Sequence, residues 1–222
     1  MATRKIQEER IQHLNEKDVK DGDYILYWMQ QSQRAEYNHA LEYAVQKANE
    51  LGQPLLVIFG LMDDYPSANA RHYAFMLEGL KDAGDALRER GIKFVVGRDS
   101  PDTVALRYGE RASSIVTDGA YLRPEKTWKE RVAEGASCTM IGVESNVVVP
   151  VELASSKREH AARTLRPKIQ KHLDRFLVEL ESTKVEHDSL EVLELRGEIR
   201  VVAAPSVNED EGRVPFARFF IE

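Results

Sequence analysis

Cysteine is almost absent from this chain. Cys138 stands alone among 222 residues, so neither an intrachain disulfide nor a cysteine-built zinc site is available. Long apolar runs are missing too: none approaches the roughly 20 residues a membrane-spanning helix needs. The opening stretch, MATRKIQEERIQHLNEKD, is charged throughout and has no apolar centre for a secretory signal. These absences make a reducing compartment, the cytoplasm, the expected setting. An excess of positive charge is lacking, since the formal net charge is −6, which argues against a surface given over wholly to nucleic acid but not against a local basic patch. No GxGxxG follows the first apolar run and no GxxxxGK(S/T) occurs anywhere, which disfavours a dinucleotide or nucleoside-triphosphate loop. The six histidines (His13, His39, His72, His160, His172 and His187) show no ligand spacing, and no Ser, His, Asp order is legible. Neither a metal site nor a hydrolytic triad is expected.

What is present is an alternation of strand-like and helix-like segments. The chain is organised around residues 24–41, YILYWMQQSQRAEYNHAL, which read as strand, polar turn and helix. Leu41, Ala44, Val45 and Ala48 share one helical face over residues 38–50, and Gly52 ends the helix before Pro54. PLLVIFGL (54–61) is apolar without alternation, as a parallel strand covered on both faces should be. Residues 69–90 place Tyr73, Met76, Leu77, Leu80, Ala83 and Leu87 at core spacing, with Gly91 as the cap. Strands at 92–97, 114–117 and 139–143, separated by helices at 102–109 and 125–133, complete the series. The expected architecture is a doubly wound α/β domain: about five parallel strands with helices on both faces.

The flanks read differently. Residues 1–21 form a polar arm, expected to be helical with Ile6, Ile11 and Leu14 as a thin apolar stripe. Residues 147–151 carry Pro150 and read as an edge or an extended crossover. From Ser156 a basic helical stretch follows, and its cations (Lys157, Arg158, Arg163, Arg166, Lys168, Lys171 and Arg175) face phosphates or an acidic partner on one reading. On the other they form a solvated face balanced by Glu159 and Asp174. The α/β domain is placed at 22–180. Residues 181–222 form a short C-terminal extension, with two short strands and a possible hairpin at 190–203.

Ligands of open α/β sheets bind where strand ends meet helix starts. The first turn therefore supplies candidate binding residues: Trp28 and Met29 as a stacking or soft apolar wall, with Gln33, Arg34 and Asn38 as donors to an anionic or carbonyl-rich planar ring. Asp118, ending the fourth strand, is placed to face the same crevice, with Arg123 and Trp128 following on that side. The structural alternatives stand beside these: Arg34 paired with Glu36, Asn38 as a helix cap, Trp28 in the core, Asp118 as a turn residue before Gly119, and Trp128 packed on the sheet.

Four segments carry a family resemblance: YWMQQSQRAEYNHAL, ARHYAFMLEGL, VTDGAYLRPEKTW and VVVPVELASSKREHAARTLRPKI. Together they resemble the N-terminal α/β domain of DNA photolyases, most closely the class II cyclobutane pyrimidine dimer photolyases, over roughly residues 22–180. The resemblance implies a Rossmann-like domain without the glycine fingerprint. Such a domain commonly carries a light-harvesting antenna chromophore (a deazaflavin in class II members, with FMN or folate as alternatives) at Met29, Gln33, Arg34, Asn38, Asp118 and Arg123. It implies a biological setting of light-dependent DNA repair, in which excitation passes to FAD held by a separate helical domain. Only 42 residues follow Leu180, so neither FAD nor the lyase reaction is expected in this chain itself, and DNA contact is expected to be indirect. The implied partner is a FAD-binding photolyase domain or another protein. Gln31-Ser32, Tyr37, His39 and residues 144–147 depart from the class II pattern. Two readings stay open: a chromophore-binding module, or a regulatory or partner-binding subunit that kept the scaffold and lost the chromophore. A nucleotide-binding domain like those of universal stress or electron-transfer flavoprotein families is a third, without a phosphate loop to support it.

Overall fold

The computed structural model describes residues 5–62, 64–65 and 68–191. Six strands form one sheet: β1 (Ile11–His13), β2 (Tyr24–Trp28), β3 (Leu55–Leu61), β4 (Lys93–Arg98), β5 (Ala112–Asp118) and β6 (Thr139–Val143). They lie in the order β1-β6-β5-β2-β3-β4. Five strands are parallel, and β1 pairs antiparallel with β6 through Ile11–Val143, Gln12–Gly142 and His13–Ile141. Every residue of β2, β3, β5 and β6 is buried, which is why β3 reads as a continuous apolar run.

Strand side chains alternate between faces, and the two faces receive different helices. α1 (His39–Leu51) and α2 (Ala70–Glu89) cover the side bearing Ile25, Tyr27, Val57 and Phe59. α3 (Pro101–Gly109) and α4 (Arg123–Gly135) cover the side bearing Leu26, Trp28, Leu56 and Ile58. The helix ends follow local chemistry. Asn38 caps α1 by accepting from Leu41 N at 3.1 Å, and Gly52 closes it at φ 65°. Asn69 and His72 form a reciprocal capping box at the head of α2.

The doubly wound fold is as expected, with one addition. Among its described residues, 5–21, the N-terminal arm forms no long polar helix: a single 3-10 turn, Glu8–Arg10, leads into β1, so the described sheet has six strands with an antiparallel edge rather than five parallel ones. The physical reason is the edge of β6, whose unpaired backbone the arm covers. Leu14 N donates to Met140 O (2.9 Å) and Glu144 N to Arg10 O (2.9 Å). The Asn15 side chain imitates a strand, accepting from Met140 N (2.9 Å) and donating to Cys138 O (3.1 Å). Arg10 is buried beneath, its guanidinium donating to the carbonyls of Glu144, Val147 and Val148 and lying over the Phe176 ring at 5.4 Å.

Beyond β6 the chain passes through a loop to α5 (Val151–Ala154), α6 (Ala162–Gln170) and α7 (Leu173–Phe176); residues 147–150 form no strand. α6 buries none of its residues, and its Lys168 pairs with Glu159 at 2.5 Å, in keeping with a largely solvated basic face. Most of the expected hairpin at 190–203 lies outside the described residues. No described helix is long and apolar enough to cross a membrane.

Candidate functional site

Strand order reverses between β2 and β5, so the switch-point crevice of this sheet opens above those two strands. The turn after β2 presents three successive backbone N–H groups there, the arrangement that in other α/β proteins holds an anion. Here the protein supplies its own anion. The Asp118 carboxylate accepts from the N–H groups of Gln30 (3.3 Å), Gln31 (3.0 Å) and Ser32 (2.7 Å), and from the Tyr27 hydroxyl (3.4 Å). Asp118 is fully buried. Burial raises its pKa above the usual carboxylate value, against the lowering effect of the three N–H bonds.

The neighbouring polar groups are committed in the same way. Asn38, fully buried, donates to the Tyr27 hydroxyl (3.0 Å), Ser32 O (3.0 Å) and Arg34 O (3.1 Å) while capping α1. Arg34 donates to Tyr37 O, to Ser145 O (3.0 Å) and to Asn146 Oδ1 (3.2 Å), tying the first turn to the loop after β6. Ser32 Oγ donates to Asn146 Oδ1 (2.7 Å), Asn146 donates to Gln31 Oε1 (3.1 Å), and the Gln31 amide donates to Glu125. Arg34, Asn38 and Asp118 Oδ2 therefore meet at one turn but are spent on the chain itself. The expected polar crevice is largely filled by this hydrogen-bonded lattice, which follows from the need to satisfy buried polar groups, although Asp118 Oδ1 keeps no hydrogen-bond partner. Arg123, the first residue of α4, is exposed and does not join them. Trp28 is core.

The open space lies on the other side of β2. A cavity of about 400 Å³ sits at the carboxyl rim of β2 and β3, roofed by the first turns of α2, α3 and α4. Its size falls within the range of small-molecule sites, roughly 300 to 1,000 Å³. Two expected residues line it, Met29 and Gln33, and so does Trp128. Phe59, Leu61, Tyr73 and Met76 complete aromatic and apolar walls suited to a flat ring. Gly60 makes the floor possible: a Cβ there would lie 2.5 Å from Pro101 Cα, so only glycine lets the head of α3 approach β3.

The polar lining is sparse, and most of it is occupied. Among the described lining residues Glu125 is the one carboxylate, and it accepts from Tyr121 N (3.3 Å) and Leu122 N (3.1 Å) as the cap of α4. Tyr73 OH donates to Met62 O (3.1 Å), His72 Nδ1 accepts from Asn69 N (3.1 Å), and Gln33 Nε2 donates to Gln30 O (2.9 Å). No lysine or arginine is among the described lining residues. Among the described residues no group of three metal-ligating side chains converges.

Sequence reasoning missed the β3 end and the head of α2 as walls. Tyr73 and Met76 have core spacing, and only their position in the first turns of α2 distinguishes them from Leu80 and Leu87 lower down. A glycine inside an otherwise bulky strand, Gly60, was the available signal.

A family model for DNA photolyase matches residues 25–186. The curated deoxyribodipyrimidine photo-lyase of Methanothermobacter thermautotrophicus is 51% identical over 189 residues, covering 84% of this chain and 42% of that protein. The Arabidopsis thaliana deoxyribodipyrimidine photo-lyase is 37% identical over 159 residues, 70% of this chain and 32% of that protein. Among solved structures, the archaeal photolyase from Sulfolobus tokodaii, described with two FAD molecules, is similar with a TM-score of 0.57 at 16% identity. That match covers 74% of this chain and 37% of the other, and it is a likeness of fold. The chain spans less than half the length of these relatives.

Proposed function

The chain belongs to the DNA photolyase family, and from that membership we propose that its α/β domain holds a light-absorbing antenna ring in the cavity between β2, β3 and α2. Such a ring would supply excitation to FAD on a partner domain for the light-dependent repair of pyrimidine dimers. The observation that carries this reading is the cavity itself: apolar, aromatic-walled and at the carboxyl rim of the sheet. The residues present fit such a group. Trp128, Tyr73 and Phe59 offer stacking faces, and Met29 and Met76 fill irregular gaps. When bound, the ring supplies light absorption; the protein's part is to bind it flat and exclude water.

The lining also favours one chemistry over another. Among the described lining residues Glu125 is the only carboxylate and none is lysine or arginine, so a phosphate or a glutamate tail would meet no cation among them. A phosphate-free tricyclic ring of the deazaflavin or riboflavin type is favoured over FMN and folate. Fluorescence titration tests this. Riboflavin is expected to bind at least about tenfold more tightly than FMN. Uptake of neither compound sinks the antenna reading and leaves the scaffold as a partner-binding subunit.

A protein partner has its own support. Leu122, Val148 and Val151 are 54%, 44% and 41% exposed. Tyr121 OH donates to Glu144 (3.0 Å), and Glu144 also accepts from Val151 N (2.9 Å), which gathers these residues at the rim. An apolar patch beside the unburied helix α6 is a suitable dock for the FAD-binding half.

A further inference from the structure

We infer that the Gln30 carboxamide reads the bound ring, hydrogen-bonding through its N–H and its carbonyl to the adjacent acceptor and donor of a lactam edge. This rests on the reading that the cavity holds a planar ring, and it names the group that selects which ring.

Gln30 is 9% exposed and lines the cavity, yet both Nε2 and Oε1 lack any hydrogen-bond partner. Buried polar atoms are nearly always satisfied, so an amide orphaned at both ends calls for a reason. Other unpartnered buried atoms, such as Trp28 Nε1, Ser113 Oγ and Ser114 Oγ, belong to residues that do not line this cavity. Several neighbouring polar groups are spent: Gln33 Nε2 on Gln30 O, Tyr73 OH on Met62 O, and Glu125 on the head of α4.

The backbone of Gln30 is fixed on both sides. Its N–H donates to Asp118, and its C=O accepts from Gln33. The side chain therefore turns about its own torsions, not with the loop. A carboxamide offers one donor and one acceptor side by side. The complementary pattern on a flat aromatic ring is C=O next to N–H, the lactam of flavins, deazaflavins and pterins. Apolar walls then hold the ring face while the amide fixes its rotation in the plane.

The experiment compares riboflavin with its N3-methyl derivative, which keeps the ring and loses the lactam N–H. Wild-type protein should bind riboflavin about tenfold or more tightly than the methylated probe, read by fluorescence titration. Gln30→Met, close in volume and apolar, should bind riboflavin more weakly and lose the preference. Equal binding of the two probes by wild type, or a preference kept by Gln30→Met, overturns the role of Gln30 while leaving the cavity reading intact. Binding of neither probe by wild type overturns the cavity reading, and this inference with it. Melting of the ligand-free proteins gives an independent readout. Gln30→Met should melt no lower than wild type, whereas a clear drop would show that the amide has a partner inside the protein and is not reserved for a ligand.

Discussion

Two residues at the first turn show how a side chain's partners, not its type, set its role. Asp118 has the position of a ligand-facing acid but is turned inward onto three N–H groups. His39, at the head of α1, is half-buried with Nδ1 unpartnered, and burial first, then Arg10 and Arg34, lowers its pKa from 6.5 to about 4. The folded state therefore keeps His39 neutral, while the unfolded chain protonates it below its ordinary value. Stability from this residue is complete above pH 6.5 and is lost as pH falls toward about 4. After solvent screening of this half-buried ring, the loss is about 2 kcal/mol. Urea unfolding across that pH range should show His39→Phe with a flatter acid limb than wild type. Parallel limbs would mean that His39 is not the group responsible.

At the scale of elements, the carboxyl rim of the sheet is built by close approach. α3 reaches β3 only because Gly60 has no Cβ, and the same contact forms the cavity floor. Gly60→Ala drives a methyl into the Pro101 backbone, so helix and strand must separate. The expected cost is about 1 to 3 kcal/mol of stability, measured by denaturant unfolding. The loss of ring affinity should exceed that of a control at Gly79, whose Cβ would meet nothing within 4 Å. Elements were also where the sequence was most legible. The caps Asn38, Gly52 and Gly91, and the unalternating runs of β2 and β3, marked their elements within a residue or two. β1 was not legible, because three residues with one apolar side chain carry no period and owe their form to the open edge of β6.

For the whole molecule, binding and stability are linked. A ring that binds the folded chain and not the unfolded one raises unfolding free energy by about 2.7 kcal/mol at a concentration 100 times its dissociation constant. Riboflavin at that excess should raise the melting temperature of wild type, and Trp128→Ala should show a smaller rise. An unchanged wild-type melting temperature at measured saturation would mean that the ring binds the unfolded chain equally well.

The sequence by itself determined the alternation of strands and helices, their caps, the family to which the chain belongs, and two cavity residues, Met29 and Gln33. These follow from local spacing and residue type, which the chain carries wherever it goes. Only the tertiary structure decided that Arg34, Asn38 and Asp118 serve the scaffold and that the ring-sized space lies across β2 beside Tyr73, Met76 and Trp128. Which backbone N–H a carboxylate meets, and which apolar side chains are left unpacked, depends on segments far apart in the chain brought together by the sheet, and no local pattern records that.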